Sequence, residues 1–152
     1  MFGKILMATD GSHFALHAAE YGADIAKRYD AEVTLLYVAE MPPIIGIPPS
    51  DERIEQTRQE LSAHGKEALL RTHRIFEDAG VQPIDELEFG SAVPAILERA
   101  RGGDYELLVI GSRGAGTGAI EQILIGSVAE GILHGAPCPV LMVRFNSSPR
   151  KR

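Results

Sequence analysis

The sequence predicts an α/β protein, a three-layer doubly wound sandwich in which a five-stranded, mostly parallel sheet alternates with four helices. Three observations carry this. Short, nearly continuous apolar runs recur along the chain, as strands buried on both faces require. Between them lie longer stretches whose apolar residues recur at helical spacing. Glycine, serine and aspartate mark the passages from strand to helix. Such alternation calls for right-handed crossovers, which leave helices on both faces of a single sheet.

Lys4 to Thr9 holds the run Ile-Leu-Met-Ala and reads as the first strand, closed by Asp10-Gly11-Ser12, which is turn and cap chemistry. A helix follows from near Ser12 to residue 29, with Phe14, Ala18, Gly22, Ile25 and Tyr29 on one stripe and Ala15, Ala19 and Ala26 beside it. Val33 to Ala39 is the second strand. In Met41 to Pro49 the prolines at 42, 43, 48 and 49 forbid a ladder or a helix, so this is a surface loop suited to act as a lid.

Ser50-Asp51-Glu52 opens a long helix whose stripe runs through Ile54, Thr57, Leu61, Gly65, Ala68, Thr72, Ile75 and Ala79 before Gly80 stops it. Gln82 to Phe89 alternates apolar and acidic residues, as an edge or half-exposed strand does. Gly90-Ser91 then opens a short helix carrying Val93, Ile96, Leu97 and Ala100. Tyr105 to Ile110 is a buried strand, Gly111 to Gly118 is glycine-rich, Ile120 to Leu133 has helical spacing, and Cys138 to Val143 is the fifth strand.

A length of 152 residues fits one domain. Its 45% hydrophobic and 24% charged residues exclude disorder, a collagen-like repeat and a disulfide-stapled miniprotein. Lysines and arginines number 15 against 21 acidic residues, and the net charge of −6 argues against nucleic acid as a partner. Basic residues cluster only at Arg150, Lys151 and Arg152, in a solvated tail spanning 146–152. No apolar run reaches the length of about 18 residues that a membrane helix needs, so no membrane insertion is expected. The start Met-Phe-Gly-Lys lacks the apolar stretch of a secretory signal, and Cys138 alone permits no intramolecular disulfide. The cytosol is the expected compartment.

In an open parallel sheet, ligands sit beyond the carboxyl ends of the strands where the strand order reverses. That directs attention to the loops after the first and fourth strands, Asp10-Gly11-Ser12 and GSRGAGTG. Glycines at 111, 114, 116 and 118 let backbone N–H groups approach a phosphate, and Gly126-Ser127 lies near a helix start, where free N–H donors favour an anion. The same residues equally suit an ordinary flexible connection with Ser127 as N-cap.

Other chemistries lack their machinery. No lysine stands where G-x-x-x-x-G-K-[ST] needs it, and no G-x-G-x-x-G follows the first strand. His13 and His17 are four apart on one helix but show no further metal-ligand pattern. No Gly-x-Ser-x-Gly elbow is present, and Cys138 falls in a predicted strand between prolines. No acidic cluster joins Asp10 to make a phospho-accepting receiver. With no catalytic base in view, any hydrolysis of a bound phosphate compound is expected to be slow.

The opening KILMATDGS, the strand ELLVIGSRG, the stretch GAIEQILIGSVAEGIL and the ending HGAPCPVLMVR resemble the universal stress protein family over residues 2–144. The resemblance implies a domain over 1–145 with strand order 3-2-1-4-5 and, in many members, ATP held through a motif G-x2-G-x9-G-[ST]. Carried over by position, Asp10 faces the adenine–ribose end, flanked by Ala8 and Thr9, while Val38 contacts the base. Ile110, Gly111, Arg113, Gly114 and Gly116 fall in or beside the first half of the motif, and Gly126, Ser127 and Val128 match its phosphate-binding half. The resemblance therefore implies ATP as ligand, with Mg²⁺ on its phosphates. It also implies a stress-response regulator that is a homodimer through the last strand, burying Val140, Leu141 and Met142, and that acts on a further protein partner.

The chain departs from the motif in one place: eleven residues, not nine, separate Gly114 from Gly126. Pairing Gly116 with Gly126 restores nine but lengthens the first interval instead. Two extra residues add up to about 7 Å of chain, while a phosphate hydrogen bond spans about 2.7–3.2 Å. The insertion either displaces a donor or bulges outward. The alternative to a nucleotide site is therefore a dimeric interaction module of the same fold that holds no nucleotide, with a slow ATPase as a third reading.

Overall fold

A computed structural model describes residues 1–113 and 125–145. Its elements run β1 (Lys4–Ala8), α1 (His13–Tyr29), β2 (Glu32–Ala39), α2 (Asp51–Asp78), β3 (Ile84–Phe89), α3 (Ala92–Gly102), β4 (Leu107–Gly111), α4 (Ser127–Gly135) and β5 (Val140–Val143). The strands form one sheet in the order β3-β2-β1-β4-β5, with every neighbouring pair parallel. This is the expected five-stranded, doubly wound sandwich with four helices.

Strand periodicity divides the core in two. Ile5, Met7, Leu35, Tyr37 and Val109 face the side covered by α1 and α2, where Ala18, Ala19, Ala68 and Phe76 pack against them. Leu6, Leu36, Leu108 and Ile110 face the other side, against Ile96 and Ala100 of α3 and Ala129 and Ile132 of α4. Small residues on α1 and Gly65 on α2 let the helices lie close to the sheet. A Cβ on Gly65 would meet Tyr37 and Leu87 side-chain atoms at 2.6 Å.

Sequence and structure differ at several margins. Tyr29 lies on the α1 stripe yet is 45% exposed, because it occupies the last turn, where the helix leaves the sheet. Cys138 sits two residues before β5 and not within it: Pro137 and Pro139 on either side lack an N–H to donate, and the ladder begins with the Pro139 carbonyl, which accepts from Leu108 N–H at 3.0 Å. The helix expected from Ile120 begins, among the described residues, at Ser127, with Ile125 and Gly126 non-helical. The glycine-rich residues beyond Arg113, including Gly114 and Gly116, and the basic tail at 146–152 lie outside the described residues.

β3 and β5 are the sheet edges. Two of the three acidic side chains of β3 are tied to helices: Asp85 Oδ1 lies 2.9 Å from His73 Nδ1, and Arg99 donates to Glu86. In the loop at 40–50 every residue is exposed, Ile45 and Ile47 almost completely. Exposure continues through much of the start of α2, where Ile54, Thr57 and Leu61 are half-buried and the first buried residue is Gly65.

Candidate functional site

At the carboxyl end of the sheet, β1 and β4 separate and their loops diverge, α1 to one face and α4 to the other. This opens a cavity of about 290 Å³ on the α3–α4 side. Ten of the twelve residues singled out in the sequence line it: Ala8, Thr9, Asp10, Val38, Ile110, Gly111, Arg113, Gly126, Ser127 and Val128. Sequence reasoning missed its remaining walls, Ala15, Leu36, Ala92, Ile96, Ala129 and Ile132. Their only sequence signal is apolar periodicity, which marks core and cavity wall alike.

The β1–α1 loop is fixed from below. Gly11 donates its N–H to Thr9 Oγ1 at 3.1 Å, Thr9 Oγ1 lies 2.8 Å from Thr72 Oγ1, and Thr72 donates to the Ala68 carbonyl at 2.9 Å. A hydroxyl has one proton, so Thr9 must donate to Thr72. Gly11 adopts φ 74°, and a Cβ there would sit 2.6 Å from the Ala68 Cβ, so only glycine fits against α2. The Asp10 carboxylate accepts from Ser12 N–H at 2.9 Å, and Ser12 Oγ caps α1 through Ala15 N–H at 3.3 Å.

The opposite wall carries the cationic group. Arg113 is buried, 6% exposed, with its guanidinium carbon 5.1 Å from the centre of the Phe14 ring. Its Nε and Nη1 are buried without a hydrogen-bond partner. A buried, unpaired guanidinium is costly, and here it borders an open cavity.

Beside it α4 begins. Gly126 is the N-cap, not Ser127 as the sequence allowed, and no side chain caps the helix. The first intrahelical bond runs from Glu130 N–H to the Gly126 carbonyl, so the N–H groups of Ser127, Val128 and Ala129 precede the ladder at the cavity wall. Gly126 has φ −64°, and a Cβ would find its nearest neighbours at 3.4 Å. The fold itself does not demand glycine at this position.

The α3 N-terminus also reaches the cavity but is already satisfied. Ser91 makes no side-chain cap, and Glu40 Oε1 instead accepts from Ala92 N–H at 2.6 Å. His13 and His17 lie against Phe145, with ring centroids 5.0 and 5.5 Å from it. Among the described residues no group of three or more metal-ligating side chains is placed to hold a metal ion. No helix of the described residues is long and apolar enough to cross a membrane.

Comparison with known proteins agrees with this architecture. The model of the universal stress protein family matches residues 1–144. A universal stress protein of Methanocaldococcus jannaschii is 38% identical over 144 residues, covering 95% of this chain and 83% of the relative. The solved structure of universal stress protein UspA from Lactobacillus plantarum superposes with a TM-score of 0.81 at 25% identity, covering 94% of this chain and 98% of the other. A universal stress protein family member of Arabidopsis thaliana, solved with AMP bound, has a TM-score of 0.67 at 22% identity and covers 95% of this chain and 92% of its own.

Proposed function

The chain belongs to the universal stress protein family, and from that premise we propose that it is a cytosolic stress-response regulator that binds an adenine nucleotide, ATP included, in the cavity between β1 and β4. The observation that carries this is Arg113, a buried guanidinium with two unpartnered nitrogens on the wall of a cavity that the uncapped start of α4 also enters. Both features favour an anion. Leu36, Val38, Ile96 and Ile110 offer an apolar wall for a base, and Asp10, which lines the same cavity, is the residue we assign to the ribose. The related Arabidopsis protein, which shares this fold, holds AMP.

Any Mg²⁺ arrives on the phosphates of ATP. In this reading the protein binds and signals, with any hydrolysis slow. The test is calorimetric titration of nucleotide-free protein with AMP and Mg-ATP, repeated on Gly126→Val. A Cβ at 126 meets nothing closer than 3.4 Å and lies beside Arg113, so a valine there is expected to crowd a bound phosphate without disturbing the backbone. Micromolar affinity, about −8 kcal/mol, lost in the variant supports the site. Absence of heat from the parent protein rejects it.

A second proposal rests on the opposite edge of the sheet. β5 has no outer neighbour among the described strands, and its Val140-Leu141-Met142-Val143 carries no charge to block pairing. A homodimer through this edge, shared between two copies about a two-fold axis, covers it and leaves the nucleotide cavity free to act on a further protein partner.

A further inference from the structure

Resting on the nucleotide reading above, we infer that Arg71 of α2, which does not line the cavity, is a positioning residue for it. Its guanidinium holds the Gly11–Ser12 peptide, and through that peptide the Asp10 carboxylate assigned to the ribose. Arg71 Nη2 donates to the Gly11 carbonyl at 3.2 Å, and its Nη1 lies 3.2 Å from Glu67 Oε1, one turn earlier on α2. The ladder of α1 starts one residue after Gly11, with Leu16 N–H on the Ser12 carbonyl. The Gly11 carbonyl therefore precedes that ladder and takes its donor from a side chain 60 positions further along the chain.

A peptide unit is planar and trans, so its C=O and N–H point to opposite sides of one rigid plate. On the far side of this plate Ser12 N–H donates to Asp10 Oδ1 at 2.9 Å. Turning the peptide takes that donor away from the carboxylate, so the grip of Arg71 on one side orients Asp10 on the other. The preceding peptide is held from the same helix, since Gly11 N–H donates to Thr9 Oγ1, which bonds to Thr72. Gly11, at φ 74°, is the residue of this loop with the most freedom to swing, and consecutive residues of α2 fix the peptides on both sides of it. Arg71 is 39% exposed, so water reaches the carbonyl when the guanidinium is removed, and the loss falls on orientation more than on stability.

The test compares AMP with 2′,3′-dideoxy-AMP, which keeps base and phosphate and lacks the ribose hydroxyls, by calorimetry on the full chain and on Arg71→Met. The parent is expected to prefer AMP by about fivefold or more. Arg71→Met should cut that preference by about threefold or more while its affinity for dideoxy-AMP shifts by less than about twofold. In the ligand-free variant the Ser12 amide, released with its peptide, should exchange about tenfold faster or more by NMR. A preference unchanged in Arg71→Met, a loss shared equally by both ligands, or an unchanged Ser12 amide overturns the positioning role and leaves the nucleotide site standing. Equal binding of the two ligands by the parent overturns the assignment of Asp10 to the ribose, and this inference with it. No heat from either ligand overturns the nucleotide reading itself, and the inference falls with that reading.

Discussion

The hydroxyls of Thr9 and Thr72 lie 2.8 Å apart in the core and join the residue after β1 to the C-terminal part of α2, 63 positions further along the chain. Their direction is fixed, from Gly11 N–H through Thr9 and Thr72 to the Ala68 carbonyl. Thr72→Val keeps the volume and breaks the relay, leaving the buried Thr9 proton without an acceptor. The expected cost is about 1–3 kcal/mol. Urea denaturation should show a lower midpoint at unchanged slope; an unchanged midpoint means the relay contributes nothing.

Two glycines with similar backbone angles should respond differently to alanine. At Gly11, φ 74° combines with a 2.6 Å approach to Ala68, and Gly11→Ala should cost about 2–4 kcal/mol. Gly80 has φ 84° but nothing within 4 Å of the added Cβ, so Gly80→Ala should cost about 1 kcal/mol. Thermal melting of both variants isolates the packing contribution, and equal losses refute it.

Arg113→Met separates stability from binding. Methionine retains the apolar stem against Phe14 and removes an unpaired buried charge, so the ligand-free protein should gain about 1–3 kcal/mol. The same change should remove the stabilisation conferred by AMP. Melting curves with and without AMP read both effects, and a variant still protected by AMP excludes Arg113 from the site.

Tyr37 sets an alkaline limit. Burial, and after it the negative charge of Asp10, pushes its phenol above the ordinary value. The native state therefore holds this proton more tightly than the unfolded chain does. The resulting stability is complete below the free phenol's pKa of about 10 and is lost as pH rises from there through the raised native value. Tyr37→Phe should flatten that decline in urea midpoints, and Asp10→Asn should flatten it less. A decline of the same steepness in Tyr37→Phe assigns it to another group.

For the β5 edge the decisive quantity is mass in solution. Sedimentation should give a dimer for the parent chain and a monomer for Met142→Lys, which sets a charge in the proposed seam. Identical masses for the two reject the interface.

The architecture was legible because each strand and helix carries its own period. Ile5, Met7 and Leu6 already alternate between the two faces that later divide the core. Asp10 and Gly126 were singled out by their place after the first strand and at a helix start, and Arg113 by the family resemblance alone; the structure brings all three to one cavity. It was not legible at Ile96 or Ile132, whose apolar character is the same whether they meet another side chain or an open space. Nor was the Glu40 cap on Ala92, since 52 residues intervene and Ser91 occupies the position where a local cap is expected. Ser127 misled in the reverse sense: a good capping residue became the first residue inside the helix because Gly126 N–H is held by the Ser112 carbonyl at 2.8 Å.

The 28 residues of α2 extend about 42 Å, and its first buried side of contact comes only at Gly65. Before that point Leu61 packs part-buried against the core, and the turns ahead of it are supported by turn-to-turn bonding, the Ser50 cap and the Arg58 guanidinium 4.2 Å from the centre of the Phe89 ring. One uninterrupted helix therefore belongs to two cooperative units. Its C-terminal half is expected to open only when the domain unfolds as a whole, whereas its first turns, continuous with the exposed proline-rich loop, are expected to fray independently. The seam lies where the helix first meets the sheet, so amide exchange changes from fast to slow within a single element.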